Sequence, residues 1–396
     1  MILKDKIHQL ARENAGEIIA VRRHLHAHPE LSYQEHKTAA YVAEQLKAMG
    51  ITPKEGVAET GLTATIEGKN PTSKVVALRA DLDALPITEV NDVPYKSKNE
   101  GIMHACGHDV HTSSLLGTAR ILSALTEEFE GTVKLLFQPG EEQNPGGASL
   151  MIKAGALENP TPTAILGQHV MPLIPVGKVG FRPGMYMASA DEIYITIKGK
   201  GGHGAAPELT IDPVLIASHV IVALQQVISR NASPKTPTVL TFGKVAANGA
   251  TNIIPQEVTL AGTFRAMNEE WRAKAHDIII NMVKNLTASM GGDCDIEIDK
   301  GYPYLENDPS LTARSRAAAE AYLGKENVVD LDLTLGAEDF AYYTHEMPAC
   351  FYRLGTRNEK KGITSYVHTP TFDIDEDALE VGTGMMAWLA LEELQH

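Results

Sequence analysis

Apolar residues recur at helical spacing from about residue 4 to 24, and again over 36–49, where Gly50 closes the run. Beyond Gly50 the pattern shortens. Runs at 62–67, 75–79, 132–137 and 164–167 are apolar almost throughout and read as strands, with a helix over 112–127 between them. Strands without a polar face are those covered on both sides, so this part predicts an α/β fold with a mostly parallel central sheet flanked by helices.

Near residue 180 the period changes. Ile193, Ile195 and Ile197 alternate with Tyr194, Thr196 and Lys198, the signature of a half-exposed antiparallel strand. A helix over 212–230, strands at 238–245 and 257–265 and a helix over 268–290 complete a small α+β insert. After it, strands at 293–298 and 350–354 and helices over 309–323 and from about 376 read as a return to the first domain. The expected organisation is a discontinuous domain, 1–180 with 293–396, interrupted by an inserted smaller α+β domain, 181–292.

Composition narrows the partners. The 396 residues carry 35 basic and 50 acidic side chains, a net charge of −15. Such a balance argues against non-specific binding to nucleic acid or to an anionic membrane. No uninterrupted apolar stretch approaches the roughly 18 residues of a membrane span. The cysteines, Cys106, Cys294 and Cys350, are odd in number and far apart, so no disulfide framework is implied. With no basic, apolar and small-residue leader at the start, a cytoplasmic protein is expected.

Candidate chemistry lies directly after the predicted strands. Asp81 and Asp83 follow one, Glu141 and Glu142 another, and His169 a third. Ligands of open α/β sheets bind beyond the carboxyl ends of the strands, so these residues should converge. The run His104-Ala105-Cys106-Gly107-His108-Asp109-Val110-His111 adds three imidazoles and a thiol. Cys106 and His108, two apart across a glycine turn, can aim at one point, and a thiolate can bridge two ions. Asp109 is read as the cap of the helix beginning near Val110, and His111 as outside the ligand set.

Adjacent Glu141 and Glu142 must diverge, so one can hold a metal while the other faces the substrate. Asp81 and Asp83 share a strand face; they either ligate a metal or accept N–H bonds from ligand histidines. His169 ends a buried strand, and His368 is a further donor that a two-ion site would need. His203, in the Gly-rich stretch Gly199–Gly204, can swing in to polarise a carbonyl. A phosphate-cradling loop is a poor reading of that stretch.

These pieces together resemble the M20 metallopeptidase superfamily, within it the branch of N-acyl-L-amino-acid amidohydrolases, hippurate hydrolases and auxin-conjugate hydrolases. The resemblance runs through Arg22–Ser32, Arg79–Pro86, His104–Asp109, Gly140–Glu142, Gly199–His203, Thr251–Pro255, Gly262–Arg265 and Gly336–Phe340. It implies a catalytic α/β domain with a lid domain that forms a homodimer, and two divalent ions per subunit (Zn, Mn, Ni or Co). Cys106 would bridge them, His108 and His169 completing one ion and Glu142 and His368 the other. Glu141 would be the general acid/base on a metal-bridging water. His203, with Asn252, would stabilise the oxyanion, and Arg265 would hold the substrate carboxylate. Asp81 and Asp83 would support ligand histidines, because Asp81 stands where many superfamily peptidases have a histidine.

A thiol in place of their bridging carboxylate points the same way, toward metal-dependent cleavage of N-acyl amino acids (N-acetyl, N-benzoyl or similar) to a carboxylate and a free amino acid. The alternatives are a dinuclear dipeptidase or aminopeptidase of the same superfamily, and a metal-binding scaffold that has lost catalysis. Glu141, which no ligand set requires, argues against the scaffold.

Overall fold

The computed structural model describes residues 2–396. The chain divides into two compact units. The first comprises the chain up to Tyr186 with Glu306–Leu333 and Asp339–His396; the second comprises Met187–Leu305 and Thr334–Glu338.

The first unit is built on an eight-stranded mixed sheet. Its order is Lys54–Val57, Gly61–Glu67, Thr132–Gln138, Val75–Asp81, Ala164–Pro175, Ala349–Arg357, Val179–Phe181 and Val328–Asp330. The four strands from Thr132–Gln138 to Ala349–Arg357 pair in parallel, and antiparallel pairs flank them on both sides. Every residue of Val75–Asp81 and Thr132–Gln138 is buried, which is why their sequences show no polar face.

Helices Leu3–Ala27, His108–Ser123, Pro309–Leu323 and Ala378–Leu394 pack against one another on this sheet. Of the 16 residues of His108–Ser123, 14 are buried, so the helix lacks an amphipathic stripe. Gly117 lets it approach the last helix, since a Cβ there would lie 2.7 Å from Thr383.

The second unit is a four-stranded antiparallel sheet, ordered Thr238–Ala247, Glu257–Ala266, Asp191–Lys198 and Asp293–Lys300. Helices Pro213–Gln226 and Glu269–Ser289 close one core with it, around Ile193, Ile195, Ile197, Val220, Leu224, Phe264 and Ile279. Asp212 caps the first helix ahead of Pro213, and Asn268 caps the second. The segment Pro213–Asn231, 19 residues, is long and apolar enough by composition to cross a membrane. Its Ile216, Ala217, Val220, Leu224 and Val227 are buried in this core.

Two expectations change. The strand at 293–298 does not return to the first domain: Asp293–Lys300 pairs along its length with Asp191–Lys198, setting Ile296 opposite Ile195. Cys294, Ile296 and Ile298 pack on the second unit's core with the period-two pattern of its other strands. The second unit therefore runs from Met187 to Leu305 rather than 181–292. The helix expected over 112–127 is His108–Ser123. Its N-cap is Gly107 in the left-handed region (φ 82°), and Asp109 lies inside the first turn without capping it.

Candidate metal centre

Four parts of the first unit deliver donors to one place. Val75–Asp81 ends at Asp81, with Asp83 just beyond it; Thr132–Gln138 leads through Pro139-Gly140 into Glu141 and Glu142; Ala164–Pro175 carries His169. The fourth is the turn that starts the helix His108–Ser123. There Gly107 is required twice over. Its φ is positive, and a Cβ would lie 2.6 Å from Val170. That turn places Cys106 and His108 on the same side.

Two donor groups share the Cys106 thiol. Cys106, His108 and His169 form one, and Cys106, Glu142 and His368 the other, each with its ligand atoms within 4.8 Å of one another. Cys106 Sγ lies 3.5 Å from His169 Nε2 and 3.3 Å from His368 Nε2. His368 Nε2 lies 3.2 Å from Glu142 Oε1, and His108 Nε2 is 3.9 Å from both Glu142 Oε1 and Glu141 Oε2.

Hydrogen bonds fix which ring nitrogen is offered. His108 donates Nδ1–H to Asp83 Oδ1 at 3.0 Å, and His169 donates its Nδ1–H to the Val170 carbonyl at 2.8 Å. Each Nε2 is thereby left as a lone-pair donor. His108 Nε2 and Glu142 Oε1 are buried with no hydrogen-bond partner, a cost that an ion would remove. His368 holds a left-handed backbone (φ 61°), pinned by its N–H on the Ala105 carbonyl at 2.7 Å.

The electrostatics point the same way. Burial, with the charges of Glu142 and Glu141, raises the Cys106 thiol well above its usual range. Burial opposes charge on His108, yet Asp81 and Asp83 outweigh it and hold the ring up to about 10. Burial and the nearby Arg353 press His169 well below its ordinary value. A buried thiol among carboxylates, facing a neutral His169 and a His108 ring that its carboxylates keep protonated, is a donor set completed by divalent cations, which would displace the protons of both the thiol and His108 Nε2. Nitrogen and sulfur donors suit Zn²⁺ and its transition-metal neighbours over Mg²⁺ or Ca²⁺.

The remaining residues of the His104–His111 run take other parts. His111 donates Nδ1–H to Asp81 Oδ1 at 2.6 Å and accepts the Val170 N–H at 2.9 Å, so both its nitrogens are committed. Asp109 is fully buried beside Arg22 (2.7 Å) and His26 (2.8 Å). Those cations hold its carboxyl far below the carboxylate range against the cost of burial. That ion pair, rather than helix capping, is its role. His104 is buried, and burial lowers it to about 4.

His203, Asn252 and Arg265 belong to the second unit. His203 is exposed on the short strand Gly202–His203, opposite Ile253, and the Asn252 carbonyl accepts the Gly204 N–H at 2.9 Å. Arg265 donates Nε–H to Thr263 Oγ1 at 3.1 Å.

One network escaped the sequence reading. Arg79, fully buried, donates to Gln138 (2.9 Å), Asp81 (2.6 Å) and Asp339 (2.7 Å). Asp339 accepts the Ala148 N–H, and its own N–H lies 3.4 Å from Glu141 Oε1. The available signal was an arginine inside the otherwise apolar run Val75-Val76-Ala77-Leu78-Arg79-Ala80.

Nitrogen, oxygen and sulfur donors around a shared thiol, beside a glutamate that neither group needs, fit a hydrolase that works with divalent ions. Over residues 77–392 the chain matches the family described as Peptidase family M20/M25/M40, and it belongs to that family. It is 42% identical over 310 residues to the N-acyl-L-amino acid amidohydrolase of Geobacillus stearothermophilus, spanning 77% of this chain and 83% of that protein. The N-acetyl-L-cysteine deacetylase of Bacillus subtilis is 39% identical over 92% of this chain and 85% of its own. A solved B. subtilis protein described as a dinuclear metal binding peptidase from M20 family shares 34% identity and a TM-score of 0.83. It covers 97% of this chain and 99% of its own.

Proposed function

We propose that the protein hydrolyses N-acyl amino acids to a carboxylate and a free amino acid, with Glu141 as general acid and base. The observation that carries this reading is the position of Glu141. Its Oε2 lies 3.9 Å from His108 Nε2 at the edge of both donor groups, while Glu142 next to it turns to His368.

Cys106, His108 and His169 would hold one divalent ion, and Cys106, Glu142 and His368 a second. Such ions, when bound, polarise the scissile carbonyl and make water acidic enough to give up a proton near neutrality. Glu141 takes that proton and returns it to the leaving amine nitrogen. Asp83 keeps His108 in the tautomer that presents Nε2, and Asp81 does the same for the supporting ring of His111.

His203, with Asn252, is assigned to the developing oxyanion and Arg265 to the substrate carboxylate, a task suited to a guanidinium fork. The second unit is also assigned a dimer contact. Val214, Leu215 and Val222 are exposed on its helix Pro213–Gln226, and most of Thr238–Ala247 is exposed at the sheet edge.

The test is Glu141→Gln, assayed on N-acetyl amino acids, N-benzoyl amino acids and dipeptides after loading with Zn²⁺, Mn²⁺, Ni²⁺ or Co²⁺. Metal content should match wild type while turnover of the N-acyl substrates falls about 10³-fold. Undiminished turnover would remove Glu141 from this role. A preference for dipeptides would move the substrate class.

A further inference from the structure

The segment Leu31–Glu35 has no part in the function described so far, yet it makes an unusual set of bonds. Glu35 stands at the N-cap position of the helix His36–Ala48 but does not cap it. Its carboxylate is fully buried and turns instead toward the glutamate-bearing turn after Thr132–Gln138. Glu35 Oε1 accepts the N–H of Gly140 at 2.8 Å and of Tyr33 at 2.9 Å, and Oε2 accepts the Thr60 hydroxyl at 2.7 Å.

Tyr33, in the left-handed region at φ 64°, reaches the far end of the same turn. Its hydroxyl donates to the Gln143 carbonyl at 2.6 Å and accepts the Gly146 N–H at 3.1 Å. The Tyr33 ring lies so close to Gly140 that any Cβ there would collide with it. Between these two anchors, Asp83 Oδ2 accepts the Glu142 N–H at 2.9 Å and the Ser32 hydroxyl at 2.7 Å. Glu141 therefore sits in a turn tied down at the residue before it, the residue after it and its exit.

We propose that Tyr33 and Glu35 are positioning residues that clasp the turn Pro139–Gly147 from both ends and so set the direction of the Glu141 carboxylate. This rests on the reading of Glu141 as general base. Burying a carboxylate and holding a tyrosine at positive φ both cost stability, and such strain concentrates where a site must be held rigid. A displacement of about 1 Å in a reacting group can cost about 10²-fold in rate. Removing one clasp hydroxyl leaves the Gly140 and Glu142 bonds in place, so a loss of about tenfold is expected.

The experiment compares Tyr33→Phe and Glu35→Gln in two backgrounds, wild type and Glu141→Asp, on the N-acyl substrates above. Metal content and thermal midpoint are measured on every variant. Expected are full metal content, kcat lower by about tenfold with KM changed less than about twofold, and a loss that shrinks below about twofold in Glu141→Asp, because residues acting through one group are not additive. Three results would overturn the proposal: unchanged kcat in both single variants, the same loss in both backgrounds, or activity that falls only in step with metal or folded protein. If Glu141→Gln itself turns over normally, the general-base reading fails. If it is inactive while Tyr33→Phe and Glu35→Gln are unaffected, only the clasp fails.

Discussion

Two fully buried arginines invite comparison. In the first unit Arg79 is clamped by Asp81, Asp339 and Gln138; in the second, Arg272 is clamped by Asp191, whose second oxygen also meets His276 at 2.8 Å. Both Asp81 and Asp191 are held below the usual carboxylate range by these cations, against burial. By charge and depth alone the two clusters look equivalent. They differ in what lies beside them. Around Asp191 each carboxylate oxygen has its donor, whereas beside Asp81 the buried Nε2 of His108 has no hydrogen-bond partner. Buried charge marks a place where the fold is spending stability. A buried ring nitrogen without a partner, facing other ligand atoms, marks a place where a cation can bind.

Cys106→Ser should have the largest effect. It removes the thiol shared by both donor groups, so metal content should fall and turnover drop about 10³-fold or more, the several kcal/mol a bound ion supplies. Cys350→Ser is the control: an equally buried thiol, outside both donor groups, whose loss should leave metal content intact. Equal metal loss in both would break the distinction drawn above.

Next comes Asp191→Ala, which leaves Arg272 with only Glu269 and two backbone carbonyls as partners and should cost the second unit about 3 kcal/mol, read by urea unfolding. The paired change Asp191→Leu with Arg272→Met should recover most of it, and metal content should not change. Lost metal binding in the Asp191 variant would mean the second cluster is not purely structural.

Asp83→Asn should weaken metal binding about 10–100-fold in chelator competition, with little change in folding, because Asp83 fixes the His108 tautomer. The smallest effect is in pH. Asp191 is depressed in the folded state, so its stabilisation is complete above its ordinary value of 3.8 and is lost as pH falls below that. Relative to the Leu/Met pair, wild type should therefore lose stability more steeply on acidification through this range.

Part of the site was legible because Asp81, Asp83, Glu141 and Glu142 lie at or just beyond the ends of strands that are apolar almost throughout. The fully buried runs of Val75–Asp81 and Thr132–Gln138 leave no second interpretation, and the ends of such strands are where side chains can meet. The sheet to which Asp293–Lys300 belongs was not legible. A period-two pattern says that a strand is half buried, and nothing in chain order says against which neighbour.

Asp109 was misread for a related reason. Its carboxylate is answered by Arg22, 87 residues away, and Arg79 by Asp339, 260 residues away. Capping is a local rule, and a distant guanidinium overrides it. The polar bonds of Ser32, Tyr33 and Glu35 were invisible for the same reason.

The helix Ala378–Leu394 packs among Leu3–Ala27, His108–Ser123 and Pro309–Leu323, with most of its residues buried. During synthesis, therefore, the wall behind Cys106 and His108 stays open until this helix has been made, while the second unit, contiguous from Met187 to Leu305 apart from a short return at Thr334–Glu338, has all its strands much earlier. The order of synthesis thus completes the inserted unit's strands before the last helix of the first unit. The five candidate donors can therefore stand together only after His368 and this last helix have been made, so a nascent chain carries its thiol and imidazoles unassembled until near the end of its synthesis.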